Sequence, residues 1–160
     1  MGKRWHLGDM NDPDDIRGWQ RLDPQTTTSG KLDETDVERL AAIGVKHVIN
    51  LALDTHPEAL ADEAGKLAAR GIRYTHIPVP FDAPSDVHFA AFRAAIGEGD
   101  EPLHVHCIMN WRVSAFFFRL NRDHRGMAEA EARALMKQQW EPDKADRPET
   151  KAWAAFIKSP

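Results

Sequence analysis

The sequence predicts an α/β domain of three layers, a central, mostly parallel sheet flanked by helices. Three observations predict it. Short runs rich in Val, Ile and Leu at residues 45–53, 72–79 and 103–106 read as buried strands. Helical patterns lie between them, which demands crossover connections, right-handed ones, and therefore parallel pairing. The 160 residues are 42% hydrophobic and 29% charged, with no internal repeat, low-complexity tract or second-domain boundary. Residues 1–160 thus read as a single domain large enough for its own core.

Taken in order, residues 1–25 read as a polar, irregular N-terminal arm with Trp5, Trp19 and Leu22 as scattered anchors. Asn11-Asp12-Pro13-Asp14 and Asp23-Pro24 are turn signals. Thr26-Thr27-Thr28-Ser29-Gly30 predicts a short strand followed by a turn. A helix over 34–43 places Val37, Leu40 and Ala41 on one face, with Gly44 just beyond its end. After the strand at 45–53, Thr55-His56-Pro57-Glu58 has the form of a capping box with proline at an early helical position. It predicts a helix carrying Leu60, Ala64, Leu67 and Ala68 and ending at Gly71. The strand at 72–79 meets Pro78 and Pro80, which limit its hydrogen bonding. Pro80-Phe81-Asp82-Ala83-Pro84 is a rigid loop. Ser85 caps a helix with Val87, Ala90, Ala91, Phe92 and Ile96 on its apolar side, broken at Gly97-Glu98-Gly99. Beyond the strand at 103–106, helices are predicted over 113–121, 127–140 and 148–157.

The bulk numbers narrow the function classes. A formal net charge of −4 argues against a nucleic-acid partner. No apolar run is long enough to span a bilayer, and the first residues lack the apolar core of a signal peptide. His6 also breaks the myristoylation pattern. No membrane partner is expected. Cys107 is the only cysteine, so no internal disulfide can form, which suits a cytoplasmic location.

The chemistry concentrates in residues 103–114, Leu-His-Val-His-Cys-Ile-Met-Asn-Trp-Arg-Val-Ser. Cys107 stands between a strand end and a helix start, where the helix dipole and unpaired N–H groups favour a thiolate and hold an anion. Arg112 adds a cation that can grip an oxyanion with two donors. In open parallel sheets the ligand site lies beyond the carboxyl ends of the strands. That edge carries Cys107, the Asp82 loop and the turn at Asp54. A lone cysteine is more often a buried hydrophobe, but the adjacent arginine, strand end and helix start outweigh that here. His104 and His106 share a strand face, yet spacing places no third metal ligand, so neither metal nor cofactor is expected.

The run His106-Cys107-Ile108-Met109-Asn110-Trp111-Arg112-Val113-Ser114 resembles the phosphate loop of cysteine-dependent protein tyrosine phosphatases, whose signature is His-Cys-x5-Arg-Ser/Thr. Val48-Ile49-Asn50-Leu51, Ile77-Pro78-Val79 with an acidic loop after it, and Thr28-Ser29-Gly30 look like a compact, dual-specificity-like bacterial branch. In that branch Cys-x-x-Asn-x-Arg-Val-Ser replaces the standard loop. The resemblance runs over residues 26–153. Cys107 and Arg112 enclose four residues where the standard loop encloses five, and Asn110 stands where glycine is usual. Either the loop is one residue shorter, or the arginine has moved one place and Val113 holds its old position. Met109 and Trp111 give the loop a bulky apolar lining.

The resemblance implies a cysteine-phosphatase-like fold and hydrolysis of a phosphomonoester, protein phosphotyrosine or another aryl phosphate, through a phosphocysteine intermediate. The substrate would be a phosphoprotein or a phosphorylated small molecule. It implies Cys107 as nucleophile, and Arg112 with the loop residues Ile108, Met109, Asn110, Trp111 and Val113 as the phosphate cradle. Asp82 is then the acid and base, with Asp86 as the backup. His106 would orient the loop, and Ser114 would help the thiolate leave. Two other classes stay open: a rhodanese-like sulfurtransferase, whose loop has similar cysteine-to-cation spacing, and a catalytically weak, phosphate-binding pseudo-phosphatase.

Overall fold

Five strands form one sheet in the order β1-β2-β5-β3-β4 in the computed structural model, which describes residues 11–97 and 101–160. β1 (Gln20–Asp23) runs antiparallel to β2 (Thr26–Ser29). β5 (Leu103–His106) is central and parallel to both β2 and β3 (His47–Asn50), and β4 (Arg73–His76) pairs parallel with β3. In this register Ser29, Asn50 and His106 lie side by side at the carboxyl edge. The sheet is mixed but mostly parallel and is flanked by helices, as the sequence predicts.

Strand alternation sorts side chains into two cores. Val48 faces Ile16, Leu32, Val37, Leu40, Leu67 and Ile72, under α1 (Glu34–Ala42) and α2 (Glu63–Ala68). Ile49 and Val105 face Phe92, Phe116, Trp153 and Phe156. This second, larger core lies under α3 (Asp86–Ile96), α4 (Trp111–His124), α5 (Glu129–Lys137) and α6 (Lys151–Lys158). Each fully buried Phe or Leu contributes roughly 1.5–3 kcal/mol relative to exposure. α1 opens on a capping box, with the Asp33 carboxylate accepting from the Asp36 N–H and Asp36 returning the bond to the Asp33 N–H. Among the described residues no helix is long and apolar enough to cross a membrane.

Several local expectations are corrected. The arm at 1–25 is not irregular throughout, since 20–23 is an edge strand. Its lead-in is tied down by Asp12, which accepts from Arg21 at 2.7 and 2.8 Å and from the Trp19 indole. Residues 1–10, with Trp5, lie outside the described residues, as does the glycine break at 98–99. No helix starts at the Thr55–Glu58 pattern. Residues 54–62 are turns, and α2 begins at Glu63 with Asp62 as its cap, accepting from Gly65 N–H. The Glu58 carboxylate, which a capping box would turn inward, instead pairs with Arg17 at 3.1 Å and Lys31 at 3.8 Å. A long-range ion-pair cluster has taken the group that the local motif needed. The strands at 45–53 and 72–79 shorten to β3 and β4. α4 starts two residues early, at Trp111, and runs on to His124. α5 is shorter than 127–140, and short 3-10 turns at Pro142–Lys144 and Pro148–Thr150 lead into α6.

Candidate active site

β5 ends at His106 and the chain enters the loop at Cys107, which is 1% exposed and whose N–H donates to the Ser29 carbonyl at 3.3 Å. The loop is short because Asn110 takes left-handed backbone, φ 69°, and α4 starts at the next residue. Asparagine tolerates that conformation better than other residues with a Cβ. Its side-chain amide also holds the turn, donating to the Gly18 carbonyl at 2.8 Å and to Thr28 Oγ1 at 3.0 Å. The loop carbonyls are taken up from outside: Cys107 O by His106 Nδ1 at 3.1 Å, Ile108 O by Lys31 N–H at 2.9 Å, Asn110 O by Ser114 N–H at 3.0 Å. Among the described residues no acceptor meets the backbone N–H groups of residues 108–113. Such a row of free donors at a helix start can cradle a tetrahedral oxyanion.

Gly30 forms the wall behind this loop. A Cβ there would lie 2.4 Å from the Ile108 carbonyl oxygen and 3.1 Å from that of Arg17. Gly30→Ala is therefore expected to displace the loop and cost about 1–3 kcal/mol. Stability to urea and affinity for a tetrahedral oxyanion should fall together, and an alanine variant with wild-type values for both would refute this account of the wall.

Arg112 lies in the first turn of α4 and is 7% exposed. Its guanidinium sits 5.4 Å from the centre of the Phe81 ring, and Nε has no hydrogen-bond partner. Among the described residues no carboxylate pairs with it. A buried cation without a counter-charge is expensive, and an anion on the loop would relieve that cost. Val113 is fully buried in the larger core, so its side chain belongs to the fold.

Phe81 brings the acidic loop to the site. Its ring packs with Trp111, Trp140 and Trp153 at 5.8–6.1 Å, and its carbonyl accepts from the Trp153 indole. Trp111 stacks on Trp140 at 4.9 Å, so this loop residue lines an aromatic wall. A turn closed by Ala83 N–H on Pro80 O leaves Asp82 exposed beside Phe81, with no partner among the described residues. Asp86 is occupied elsewhere, accepting from Arg119 at 3.0 Å, two turns along α4 from Arg112. Ser114 Oγ donates to the Trp111 carbonyl at 3.1 Å and makes no hydrogen bond to the Cys107 thiol. That differs from its expected role, because the helix backbone uses its one hydrogen. Ile108 is buried, whereas Met109, 43% exposed, stands at the mouth, with its sulfur 3.6 Å from Arg17 Nη1.

Beneath the loop lies a buried polar network. His106 Nε2 meets the Glu63 carboxylate at 2.6 Å, and Asn50 Nδ2 donates to Glu63 at 3.3 Å and to the Tyr74 hydroxyl at 3.1 Å. Breaking a buried pair of this kind costs roughly 3–5 kcal/mol. Burial, with the Glu63 charge nearby, pushes the Tyr74 hydroxyl up to about 12. His104 is fully buried, and that burial, with His106 beside it, holds its ring well below the ordinary imidazole range and hence neutral. Its nitrogens meet the Thr27 and Ser29 hydroxyls, both at 2.8 Å. The nitrogens of both histidines are thus engaged by the protein. The sequence marks Asn50 only as part of the Val48–Leu51 run and does not mark Glu63 at all. Glu63 lies 43 positions from His106, and helical periodicity carries no sign that its carboxylate turns inward.

Residues 18–121 match the family described as beta-lactamase hydrolase-like protein, phosphatase-like domain. No curated protein matches the chain. Among solved structures, a candidate phosphatase from Shewanella putrefaciens CN-32 is 29% identical with a TM-score of 0.77, covering 96% of this chain and 95% of that one. A candidate phosphatase from Neisseria meningitidis Z2491 is 25% identical with a TM-score of 0.63, covering 73% and 84%. TpbA from P. aeruginosa, in complex with pTyr, shares the fold at 20% identity and a TM-score of 0.64, covering 88% and 83%.

Proposed function

Because the chain belongs to the phosphatase-like domain family of beta-lactamase hydrolase-like proteins, we propose that it hydrolyses a phosphomonoester through a phosphocysteine intermediate. The observation that carries this reading is the buried, unpaired Arg112 beside the row of free loop N–H groups that begins next to Cys107. In the first step the Cys107 thiolate attacks phosphorus and the bond to the leaving oxygen breaks. Arg112 and the loop donors hold the three equatorial oxygens, where charge is spread in the transition state. Asp82 gives its proton to the leaving oxygen. In the second step the Asp82 carboxylate takes a proton from water, the water oxygen bonds to phosphorus, and the S–P bond breaks to return the thiolate. An aryl phosphate, such as phosphotyrosine, suits the exposed Met109 side chain on the loop and the aromatic wall of Trp111 and Phe81, and the pTyr complex of TpbA, which shares the fold, supports that class.

Two assays on the wild-type chain test this: hydrolysis of an aryl phosphate, and sulfur transfer from thiosulfate to cyanide. Phosphate release with a phosphorylated Cys107 trapped by acid quench is the expected result. Sulfur transfer without phosphate release would move the chain to the sulfurtransferases. Phosphate binding with neither activity would make it a binding protein.

Asp82→Asn is expected to lower kcat for a phenyl phosphate by about 10²–10⁴-fold. The loss should shrink for a nitrophenyl phosphate, whose leaving group needs little help from a proton. Equal losses on both substrates would remove Asp82 from the acid role.

A further inference from the structure

We propose that Glu63 is a positioning residue of this site: through the His106 ring it fixes the peptide between Cys107 and Ile108, and so keeps the Ile108 N–H turned into the anion cradle. This deepens the phosphatase reading and rests on it for the kinetic part of its test.

A carbonyl oxygen can only accept, so the contact from His106 Nδ1 to Cys107 O requires a hydrogen on Nδ1. That bond has the right direction only while the ring keeps one orientation. Glu63 sets the orientation from the opposite nitrogen, at 2.6 Å, and is itself held by Asn50. The peptide unit is planar and trans, so its C=O and N–H point opposite ways. Anchoring the Cys107 oxygen toward His106 therefore aims the Ile108 N–H away from it, toward the loop interior. A loosened ring would free this peptide to rotate and withdraw the first donor of the cradle. Glu63 is 6% exposed at the start of α2. An acid placed there only to oppose the helix dipole would do so from the surface, without the cost of burial. Its contacts lead instead to the residue before the cysteine.

Two substitutions cross geometry against charge. Glu63→Gln loses the charge but keeps the length and can donate its amide hydrogen to Nε2. Glu63→Asp keeps the charge but ends about 1.5 Å short, one C–C bond. Positioning predicts that Glu63→Gln stays within about threefold of wild type in kcat, while Glu63→Asp loses about 10–100-fold with KM changed less, the scale of lost outer-shell support. A second readout needs no phosphatase activity: alkylation of Cys107 by iodoacetate, an anion that uses the cradle, relative to neutral iodoacetamide. The ratio should fall in Glu63→Asp and hold in Glu63→Gln. Glu63→Gln as impaired as Glu63→Asp, or a folded Glu63→Asp with wild-type kcat and ratio, overturns the proposal. Where Glu63→Asp does not fold, His106→Asn serves as the background. Glu63→Gln should then change the alkylation ratio no further, and an added loss counts against the proposal. A wild-type chain that hydrolyses no phosphomonoester would sink the phosphatase reading and leave the alkylation result to decide the role of Glu63.

Discussion

Cys107→Ser is expected to lower aryl-phosphate turnover by about 10⁴-fold or more, with phosphate affinity close to wild type. Sulfur is intrinsically the better nucleophile, whereas a serine hydroxyl at the same place needs a base to activate it. Among the described residues no such base bonds to it: the His106 nitrogens are taken by the Cys107 carbonyl and Glu63. The substitution is nearly isosteric. Cys107 N–H bonds to Ser29 and the loop carbonyls bond to Lys31, His106 and Ser114, none through the thiol, so the cradle should survive. Steady-state hydrolysis and calorimetric titration with phosphate check the two halves. Turnover that persists in the serine variant would rule out a covalent cysteine mechanism.

Arg112→Met is expected to act in opposite directions on activity and stability. Removing the guanidinium should lower kcat by about 10²–10³-fold, the scale for losing a preorganised donor to transition-state charge. Arg112→Lys should recover little of this, because an ammonium cannot reproduce a planar, two-pronged grip. The same Arg112→Met change removes a buried charge that no carboxylate among the described residues balances, and puts an apolar chain beside Phe81. Urea unfolding without phosphate should therefore show a gain of about 0.5–2 kcal/mol. A variant both inactive and less stable would mean that Arg112 is structural, and an active one would remove it from the cradle.

Two segments depart furthest from what their local sequence predicts, and for one reason. The Thr55–Glu58 pattern is a sound local start for a helix, but Glu58 is drawn to Arg17 and Lys31, which come from distant parts of the chain. The first strand sits in a polar stretch whose order depends on Asp12 pinning Arg21 and on pairing with β2. Neither partner is visible in a window of neighbouring residues. The Ser114 hydroxyl shows the same limit on a smaller scale: its position along the chain fits a familiar pattern, but the Trp111 carbonyl is the acceptor within reach.

Features that depend on neighbours along the chain are legible without the fold. The buried parallel strands follow from runs of branched apolar residues, and the two cores from the opposite faces of Val48 and Ile49. The thiol, the left-handed asparagine and the arginine fall within six consecutive residues, so the anion loop could be read directly. The surroundings of that loop come from long-range packing: Gly30 against the Ile108 carbonyl, Phe81 beneath Arg112, Glu63 behind His106. The register of parallel strands brings these residues together, and that register is set by packing over the whole sheet. A carboxylate 43 positions away therefore leaves no mark in the local pattern, yet touches the residue before the cysteine.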